Sequence, residues 1–592
     1  MQGKNTMRKL VRECLMCLGL SSLMLVAQGC MIGGGHGGGG GGGQGIPGAT
    51  LTSLSPSSVP AGSPPFTLTV NGSGFVAGGS LSWNGTTPLG QYTFVSSTQV
   101  TVQIGAGLIM SPGSGVIVAT IPTPRTNPSN ALTLTINPFA SSVCVLFGMY
   151  GFFFTGFDSS SPVTIGGVFG VDANGSVSGE EDFKDLAGTR AAQPITGGSC
   201  TNSSTTNEGT LTVTTAAGTS TYSFATQGLP VPGVRGQMAE SGDANGVSGS
   251  GRFVFSPPGN FFSGDYVIAL TGSDSSGGRM GVLGRFTDND NSCEGCPGTL
   301  SGGEGDINDN GAITPSVQIT GNVSVPDLYS RAIATLTLGA QTLQIAFYVF
   351  SSGGGFALDV DSGASSPLLA GFVSSQGHSG GYANVDLNAP VVFSTWGAMA
   401  GSPASSDTSV GIASGFNSGP GTFNLQLDSV ASGVRSLNQT INGATYAIAS
   451  NGRATMSYTS GGKTHNLVLY LDAMNDGYIL DNSDSVGFGF FEAQATGPFT
   501  NSSINGTFAG GTWFPPVSTS PNTDAAITLN NGVISGTITG TYIVDSLGRG
   551  TATVDLPIFG SNDVVLYIVG PNNFYLMGSD AVTDDTIGFL HI

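Results

Sequence analysis

The chain has 592 residues, of which 96 are glycine and only 9% are charged, and its formal net charge is −20 at pH 7. Typical soluble domains contain about 7% glycine and about 25% charged residues, so this composition excludes long, charge-rich helices. The acidic balance excludes a nucleic-acid-binding protein, which needs a basic face for the phosphates. Hydrophobic residues make up 39% of the chain, too many for a disordered protein. Abundant glycine, serine and threonine with short β-branched runs predict an all-β, multi-domain protein.

The first 29 residues have the features of an export signal. Basic residues precede an apolar run at 14–27, which is too short for a membrane-spanning helix. The run ends in LVAQGC at 25–30, which resembles the lipobox of bacterial lipoproteins. The resemblance implies a signal peptide at 1–29 and a lipid on Cys30. It places the mature protein in the cell envelope, at the outer membrane because Met31 is not aspartate, facing either the surface or the periplasm. Ordinary secretion with cleavage nearby is the alternative.

Residues 30–48 follow the proposed anchor and are almost entirely glycine between Gly33 and Gly45. Such a segment has no apolar side chains to bury, so it predicts a flexible tether.

Residues 49–138 alternate apolar and polar positions in short runs such as FTLTV (66–70) and VTVQI (100–104). Runs of this kind separated by turn residues predict a β-sandwich. The segment resembles the IPT/TIG family of immunoglobulin-like domains at NGSGF (71–75) and STQVT (97–101). The resemblance implies an Ig-like sandwich with Phe75 in its core, serving as a spacer or interaction module. Trp83 is either a core residue or an exposed aromatic platform for a sugar.

The rest of the chain contains internal repeats, which predict tandem units. The strings GMY (148–150) and TGFD (155–158) recur as GDY (264–266) and TGSD (271–274). The repeats resemble those of uncharacterised IPT/TIG-bearing bacterial lipoproteins, a family without an assigned activity. The predicted units are module 1 (143–258), module 2 (259–380), module 3 (381–499) and module 4 (500–592). Each is expected to be an antiparallel meander closed into a small barrel or sandwich, because closure removes exposed sheet edges.

A second repeated pattern is an arginine at a turn before an apolar strand, found at Arg331, Arg453 and Arg549. We expect each arginine to pair with a carboxylate of its own module. Binding of an anion is the alternative.

Four cysteines, Cys144, Cys200, Cys293 and Cys296, remain after the signal and the anchor. Disulfides suit an exported protein, and four cysteines allow three pairings. Pairing Cys144 with Cys200 and Cys293 with Cys296 keeps each bond within one module. A redox role for the C-x-x-C lacks a βαβ context, and zinc would need further ligands.

Acidic loops are the candidates for a metal site. The string DINDNG (306–311) matches the first half of an EF-hand loop, but Val317 stands where the bidentate glutamate is required. A different calcium site, rimmed by carboxylates near this loop, is the hypothesis to test, and simple turn chemistry is the alternative to it. Its candidate ligands are Asp288, Asp290, Glu304 and Asp306.

The sequence offers little for catalysis, since it has four histidines and no convincing catalytic motif. The string GHSGG (377–381) fits a nucleophile elbow but lacks the strand-to-helix context. We therefore expect a non-enzymatic envelope lipoprotein with a structural or adhesive role that binds a glycan or a surface protein, without nucleic acid and without a cofactor other than structural calcium. A calcium-stabilised barrel or a barrel holding a small apolar ligand is the alternative, and a secreted hydrolase is the least supported class.

Overall fold

The computed structural model describes residues 48–122, 128–138, 144–158, 161–202, 208–226, 235–243, 247–255, 264–289, 297–350, 354–363, 366–378, 380–513, 524–536, 538–556, 560–579 and 587–591. Within these ranges the chain forms strands and three short 3-10 helices, and no α-helix. The all-β prediction is therefore confirmed. Across the same residues, no helix has the length and apolar character that crossing a membrane requires.

The first nine strands form two sheets that pack as a sandwich. One sheet has the order β1-β3-β7-β6 and the other β2-β9-β8-β4-β5, in which β2 and β9 are parallel. Phe75 is 2% exposed and Trp83 5% exposed in the shared core, so Trp83 is a core residue and not a sugar platform. The elements are β1 (Thr50–Ser55), β2 (Ser58–Pro60), β3 (Phe66–Ser73), β4 (Ser80–Trp83), β5 (Thr87–Gln91), β6 (Thr93–Ser96), β7 (Gln99–Ile104), a 3-10 helix (Ala106–Ile109), β8 (Gly113–Thr120) and β9 (Leu132–Asn137).

Module 1 is a nine-stranded sheet that almost closes into a barrel, with β13 and β14 at its two edges. An isolated bridge joins Gly197, just after β13, to Thr214 of β15, and a disulfide links Cys144 to Cys200 with 5.7 Å between their Cα atoms. The strands are β10 (Gly148–Asp158), β11 (Ser161–Val171), β12 (Val177–Asp185), β13 (Gly188–Ile195), β14 (Cys200–Asn202), β15 (Glu208–Thr215), β16 (Gly218–Thr226), β17 (Arg235–Asp243) and β18 (Val247–Phe255).

Modules 2, 3 and 4 are closed barrels of eight consecutive antiparallel strands. Module 2 contains β19 (Gly264–Ser273), β20 (Arg279–Asp288), β21 (Gly298–Asp309), β22 (Ala312–Val323), β23 (Arg331–Leu338), β24 (Gln341–Val349), β25 (Gly354–Asp359) and β26 (Leu368–Ser375). Module 3 contains a 3-10 helix (Asn384–Asp386), β27 (Val391–Met399), β28 (Ser402–Asn417), β29 (Thr422–Ala431), β30 (Val434–Ile448), β31 (Arg453–Ser460), β32 (Lys463–Ala473), β33 (Asp476–Asp481) and β34 (Ser485–Ala493). Module 4 contains a 3-10 helix (Asn501–Ile504), β35 (Gly506–Trp513), β36 (Asp524–Asn530), β37 (Val533–Gly536), β38 (Thr539–Val544), β39 (Arg549–Leu556), β40 (Gly560–Gly570), β41 (Asn573–Gly578) and β42 (Ile587–His591).

Asp and Gly residues set the tight turns that make these meanders. After β11, the Asp172 carboxylate accepts hydrogen bonds from the backbone N–H groups of Asn174 and Ser176, both at 2.8 Å, and Gly175 has a φ of 78°. A carboxylate that bonds backbone N–H groups two and four residues on fixes the turn, and glycine supplies the positive φ without steric cost. The repeated Asp-to-Gly strings therefore define the hairpins.

The four modules form a ring in which each contacts the next in the same way. The second strands of modules 1, 2 and 3 (β11, β20 and β28) contact the closing strands of the following module, namely β24–β26, β32–β34 and β40–β41. Strands β35 and β36 of module 4 contact β16, with β35 also touching β17 and β18 of module 1. When the short β14 of module 1 is left out of the count, every interface involves the first two strands of one module and two or three of the last three strands of the next. Repeated head-to-tail interfaces close a ring when their rotation allows it.

Apolar residues fill both the barrels and the centre of the ring. Each module has its own interior cluster, and a further buried cluster contains residues from all four modules. Side chains alternate in direction along a strand, so one face of each strand fills its barrel while the other packs against the neighbouring modules. The central cluster includes Phe153 of module 1, Phe372 of module 2, Trp396 of module 3 and Tyr575 of module 4.

Candidate functional site

The boundary between modules 1 and 2 holds a buried cluster of an aspartate, an arginine and a tyrosine. Arg331 donates to Asp182 through Nε and Nη2, both at 2.8 Å, and the Tyr348 hydroxyl donates to the same carboxylate at 2.6 Å. The Asp182 side chain is completely buried. A bidentate guanidinium–carboxylate pair is among the stronger hydrogen-bonded arrangements in proteins.

The same cluster recurs at the next two boundaries. Between modules 2 and 3, Arg453 donates to Asp306 at 2.8 and 2.6 Å, and Tyr470 donates to it at 3.1 Å. Between modules 3 and 4, Arg549 donates to Asp428 at 2.6 and 2.8 Å, and Tyr567 donates at 2.5 Å. We call these the Asp–Arg–Tyr clusters. They correct the expectation that each arginine pairs within its own module: every partner belongs to the preceding module.

Local backbone geometry positions the arginine and the tyrosine. Each arginine is the first residue of the fifth strand of its module and pairs directly across the ladder with its tyrosine on the sixth strand. The residue before the arginine has a positive φ, at Ser330 (58°), Gly452 (86°) and Gly548 (96°). This turn directs the chain into the strand, where adjacent ladder partners point to the same side of the sheet.

Each cluster aspartate also accepts a hydrogen bond from a backbone N–H of its own module. Each lies on the third strand, and its Oδ1 accepts a backbone N–H from a residue ten positions later, at Ala192, Ser316 and Asn438. All three of those residues have positive φ, between 50° and 55°. A buried carboxylate needs several donors to offset its lost hydration. This repeated backbone kink supplies one of them before the neighbouring module docks.

Burial and charge set the protonation of the clusters. Burial, followed by the charge of the adjacent aspartate, raises the pKa of Tyr348, Tyr470 and Tyr567, so these hydroxyls stay protonated and donate. Burial by itself would lower the pKa of Arg331, but its hydrogen bonds to Asp182 raise it overall. The tyrosine hydroxyls and the arginine guanidinium groups therefore keep their protons near neutral pH and donate to the aspartates.

Further polar contacts cross the same boundaries. Lys184 of module 1 donates to Asp359 of module 2 at 2.8 Å, and both side chains are almost fully buried. Gln376, just after the last strand of module 2, donates to the carbonyl of Leu471 at 2.7 Å. Gln494, at the same place after module 3, donates to the carbonyl of Ile568 at 2.9 Å. A buried polar group must be paired to be tolerated, so these contacts fix the register of each boundary.

One end of the central cluster is charged. The Arg252 guanidinium of module 1 lies 6.0 Å from the ring centre of Phe372 and 5.5 Å from that of Phe490. Burial and then the neighbouring Arg235 lower the pKa of Arg252 to about 9. Burial, with other carboxylates nearby, raises the pKa of Asp476 to about 8. Arg252 is thus a cation over aromatic faces, and the raised pKa of Asp476 favours its neutral carboxyl form near pH 7.

The barrel interior of module 3 leaves no room for a ligand. Its cavity measures about 10 Å³ and is lined only by apolar and aromatic side chains such as Phe393 and Leu469. Holding even one water requires roughly 10–15 Å³. A cavity of about 30 Å³ in module 1 lies beside Glu181 and Arg190, and a groove of about 370 Å³ lies beside Thr445 and Ser457 on module 3. A small apolar ligand inside module 3 is therefore not supported.

The residues predicted for disulfides, lipidation and calcium are only partly described. Cys30, Cys293, Cys296 and Asp290 lie outside the described residues, whereas the Cys144–Cys200 bond is present.

Asp288 ends β20 and is 1% exposed. Asp306 and Glu304 both face module 3, since Asp306 belongs to an Asp–Arg–Tyr cluster and Glu304 Oε2 accepts a hydrogen bond from Asn451 at 2.5 Å. Among the residues with described positions, no three His, Cys, Asp or Glu side chains gather in a way that would hold a metal ion. The calcium site, part of which lies outside the described chain, stays a prediction.

Of the cluster aspartates and tyrosines, the sequence pointed only to Asp306, and there as a calcium ligand and not as a partner of an arginine. The tyrosines stand in the strings AFYV (346–349), VLYL (468–471) and VLYI (565–568), whose repetition is visible. The aspartates, by contrast, stand in dissimilar strings: EEDF (180–183), EGDI (304–307) and QLDS (426–429). Only their shared position on the third strand, known once the strands are aligned, relates them.

No protein-family model and no curated protein matches the chain. Among solved structures, it is similar to transferrin binding protein B from Haemophilus parasuis, with 11% identity and a TM-score of 0.15 over 62% of this chain and 84% of that one. It is also similar to the isotype 1 transferrin binding protein B from serogroup B Neisseria meningitidis, with 11% identity and a TM-score of 0.16 over 61% of this chain and 83% of that one. At these TM-scores neither fold nor function is carried over, and the function is argued from the chain's own residues.

Proposed function

We propose that the protein is a non-enzymatic lipoprotein of the bacterial cell envelope, whose four modules form a ring that binds a glycan or a surface protein. The observation that carries this proposal is that several of the chain's few basic residues form ion pairs between modules. Lys and Arg together number 16, and three of these residues bind the preceding module through Asp–Arg–Tyr clusters. These buried ion pairs thus join one module to the next.

The packing supports a scaffold in the same way. The apolar cluster at the centre of the ring draws residues from all four modules, and burying such surface stabilises by about 25 cal/mol per Å². The interior of module 3 is filled. A ring that is packed inside and out offers its exterior to partners, and loops and exposed strand faces of rigid scaffolds are where recognition residues concentrate.

The binding part of the proposal is tested with the mature chain on a glycan array and on an array of surface proteins. We expect saturable binding to one chemical class, with no turnover of the bound molecule. Absence of saturable binding on both arrays would remove the adhesive role, and turnover of a bound glycan would overturn the non-enzymatic assignment.

The anchor is tested by metabolic labelling with palmitate. We expect the label on the wild-type chain and none on Cys30→Ala, with the variant protein released from the membrane fraction. Equal labelling of both chains, or equal retention at the membrane, would contradict a lipid on Cys30. When Cys30 carries the lipid, the sandwich at 49–138 acts as a spacer between the anchor and the ring, as its IPT/TIG resemblance implies.

Structural calcium is the competing account of the acidic loops, and thermal unfolding with and without EDTA separates the two. If Asp306 and Glu304 serve the module boundary, the transition temperature stays the same after chelation. A fall on adding EDTA that calcium reverses would establish a metal site.

A further inference from the structure

One of the four boundaries in the ring differs from the other three. At the boundary between modules 4 and 1, which we call the seam, the equivalent positions of module 1 hold different residues. Its fifth strand begins with Glu208 where the other modules have arginine, and the ladder partner of Glu208 is Ala225 where they have tyrosine. The third strand of module 4, Val533–Gly536, contains no acidic residue to serve as the carboxylate. The seam therefore lacks all three members of the Asp–Arg–Tyr cluster.

The next strand continues the difference. In modules 2, 3 and 4 the cluster tyrosine pairs with Phe356, Tyr478 and Tyr575 on the seventh strand, and these aromatic side chains pack in the central cluster. In module 1 the ladder partner of Ala225 is Gln237. Gln237 is 4% exposed, and its side-chain oxygen has no hydrogen-bond partner among the residues that the structure describes. A buried amide oxygen without a donor destabilises the folded boundary, whereas the packed aromatic rings stabilise the other three boundaries.

The polar contacts beside the clusters also weaken along the ring. The residue two positions after the cluster aspartate is Lys184 in module 1, Asn308 in module 2 and Val430 in module 3. Lys184 forms a buried ion pair with Asp359 of module 2, and Asn308 donates to the carbonyls of Asp481 and Ser485 of module 3. Val430 belongs to the apolar central cluster. The contact made from this position is therefore an ion pair at the module 1–2 boundary, hydrogen bonds at the module 2–3 boundary and apolar packing at the module 3–4 boundary.

We propose that the seam is the joint at which the ring opens, while the three boundaries with Asp–Arg–Tyr clusters remain closed. Opening there separates β35 and β36 from β16–β18 without breaking a strand ladder, because each module keeps its own hydrogen-bonded sheet. It uncovers outward-facing apolar groups of module 1, of which Ala225 is one: its strand neighbours Tyr222 and Phe224 face the module interior, and Ala225 is fully buried. The proposal concerns the ring itself and does not depend on which partner it binds.

Thiol labelling of the folded protein tests this directly. Ala225→Cys places a thiol at the seam, and Ala346→Cys and Val565→Cys place thiols on sixth strands at the module 1–2 and module 3–4 boundaries. All three parent residues are at most 1% exposed, and the parent chain supplies the blank for native cysteines. When reclosing is fast, the labelling rate reports the population of the open state. We expect Ala225→Cys to react at least about tenfold faster than both others, the effect of one charge-assisted hydrogen bond.

A second comparison keeps the test decisive if a variant at the seam is poorly folded. Asp428→Asn removes the charge of the cluster at the module 3–4 boundary, so in the Val565→Cys background it is expected to raise the labelling rate about tenfold. The proposal is overturned if Ala225→Cys labels as slowly as the two others, or if Asp428→Asn leaves the rate at Val565→Cys unchanged.

Discussion

Removing one cluster aspartate is the most direct test of what holds the ring together. In Asp306→Ala, Arg453 and Tyr470 of module 3 lose the acceptor that they share, and the backbone N–H of Ser316 loses its partner at 3.4 Å. The Asp306 side chain is completely buried, whereas that of Arg453 is 18% exposed. The substitution thus leaves a guanidinium that is mostly out of water, with Glu304 at 3.8 Å as its remaining carboxylate neighbour.

The size of the effect follows from that geometry. Breaking a buried ion pair by removing one partner costs about 3–5 kcal/mol, and most of this is the cost of the charge left behind. Because the Arg453 side chain keeps some contact with solvent, water recovers part of its hydration. We therefore expect the free energy of unfolding to fall by about 3 kcal/mol, at the lower end of that range.

Urea unfolding followed by tryptophan fluorescence measures this change, since Trp396 lies in the central cluster. The matched control is Asp484→Ala, which removes a 62% exposed carboxylate bonded to Lys463 and is expected to cost less than about 1 kcal/mol. The double variant Asp306→Leu with Arg453→Met should regain most of the loss, because it removes both charges together. If Asp306→Ala is no more destabilising than Asp484→Ala, the clusters do not hold the boundaries and the argument fails.

Three further predictions follow from single features of the fold. Burial raises the pKa of Glu181 to about 7 and that of Asp476 to about 8. Because the folded state binds these protons more tightly than the unfolded chain does, the transition temperature should fall as the pH rises from about 5 to about 8. A rise of the transition temperature over that pH range in scanning fluorimetry would contradict this prediction. Replacing Cys144 and Cys200 by serine removes a bond that spans 56 positions, so the free energy of unfolding should fall by about 3 kcal/mol. We expect limited proteolysis to cleave the variant faster than the wild type, and only within module 1. Unchanged proteolysis would argue against a stabilising role for the bond. A Cβ at Gly281 would lie 2.5 Å from the Leu480 side chain of module 3. Because overpacking costs about 1–3 kcal/mol, Gly281→Val should lower the transition temperature measured by calorimetry. A transition temperature equal to that of the wild type would show that the two modules are not in close contact at this position.

Much of the architecture is determined by the sequence alone. Alternating apolar residues define strands, and Asp-to-Gly turns with positive φ, such as that ending at Gly175, define hairpins. These signals are local, because strand periodicity and turn conformation depend on neighbouring residues. The repeated arginines were visible for the same reason: each follows a turn of fixed geometry, as Arg453 follows Gly452.

The partners of those arginines were decided only by the tertiary structure. Arg331 and Asp182 lie 149 positions apart, and Arg549 and Asp428 lie 121 apart, in strings without a common motif. Nothing local brings them together, because the contact depends on how one barrel packs against the next. The sequence therefore determined which segments become barrels. Packing of their outward faces decided that the barrels form a ring, and that three of its four boundaries hold buried ion pairs of this acidic, charge-poor chain.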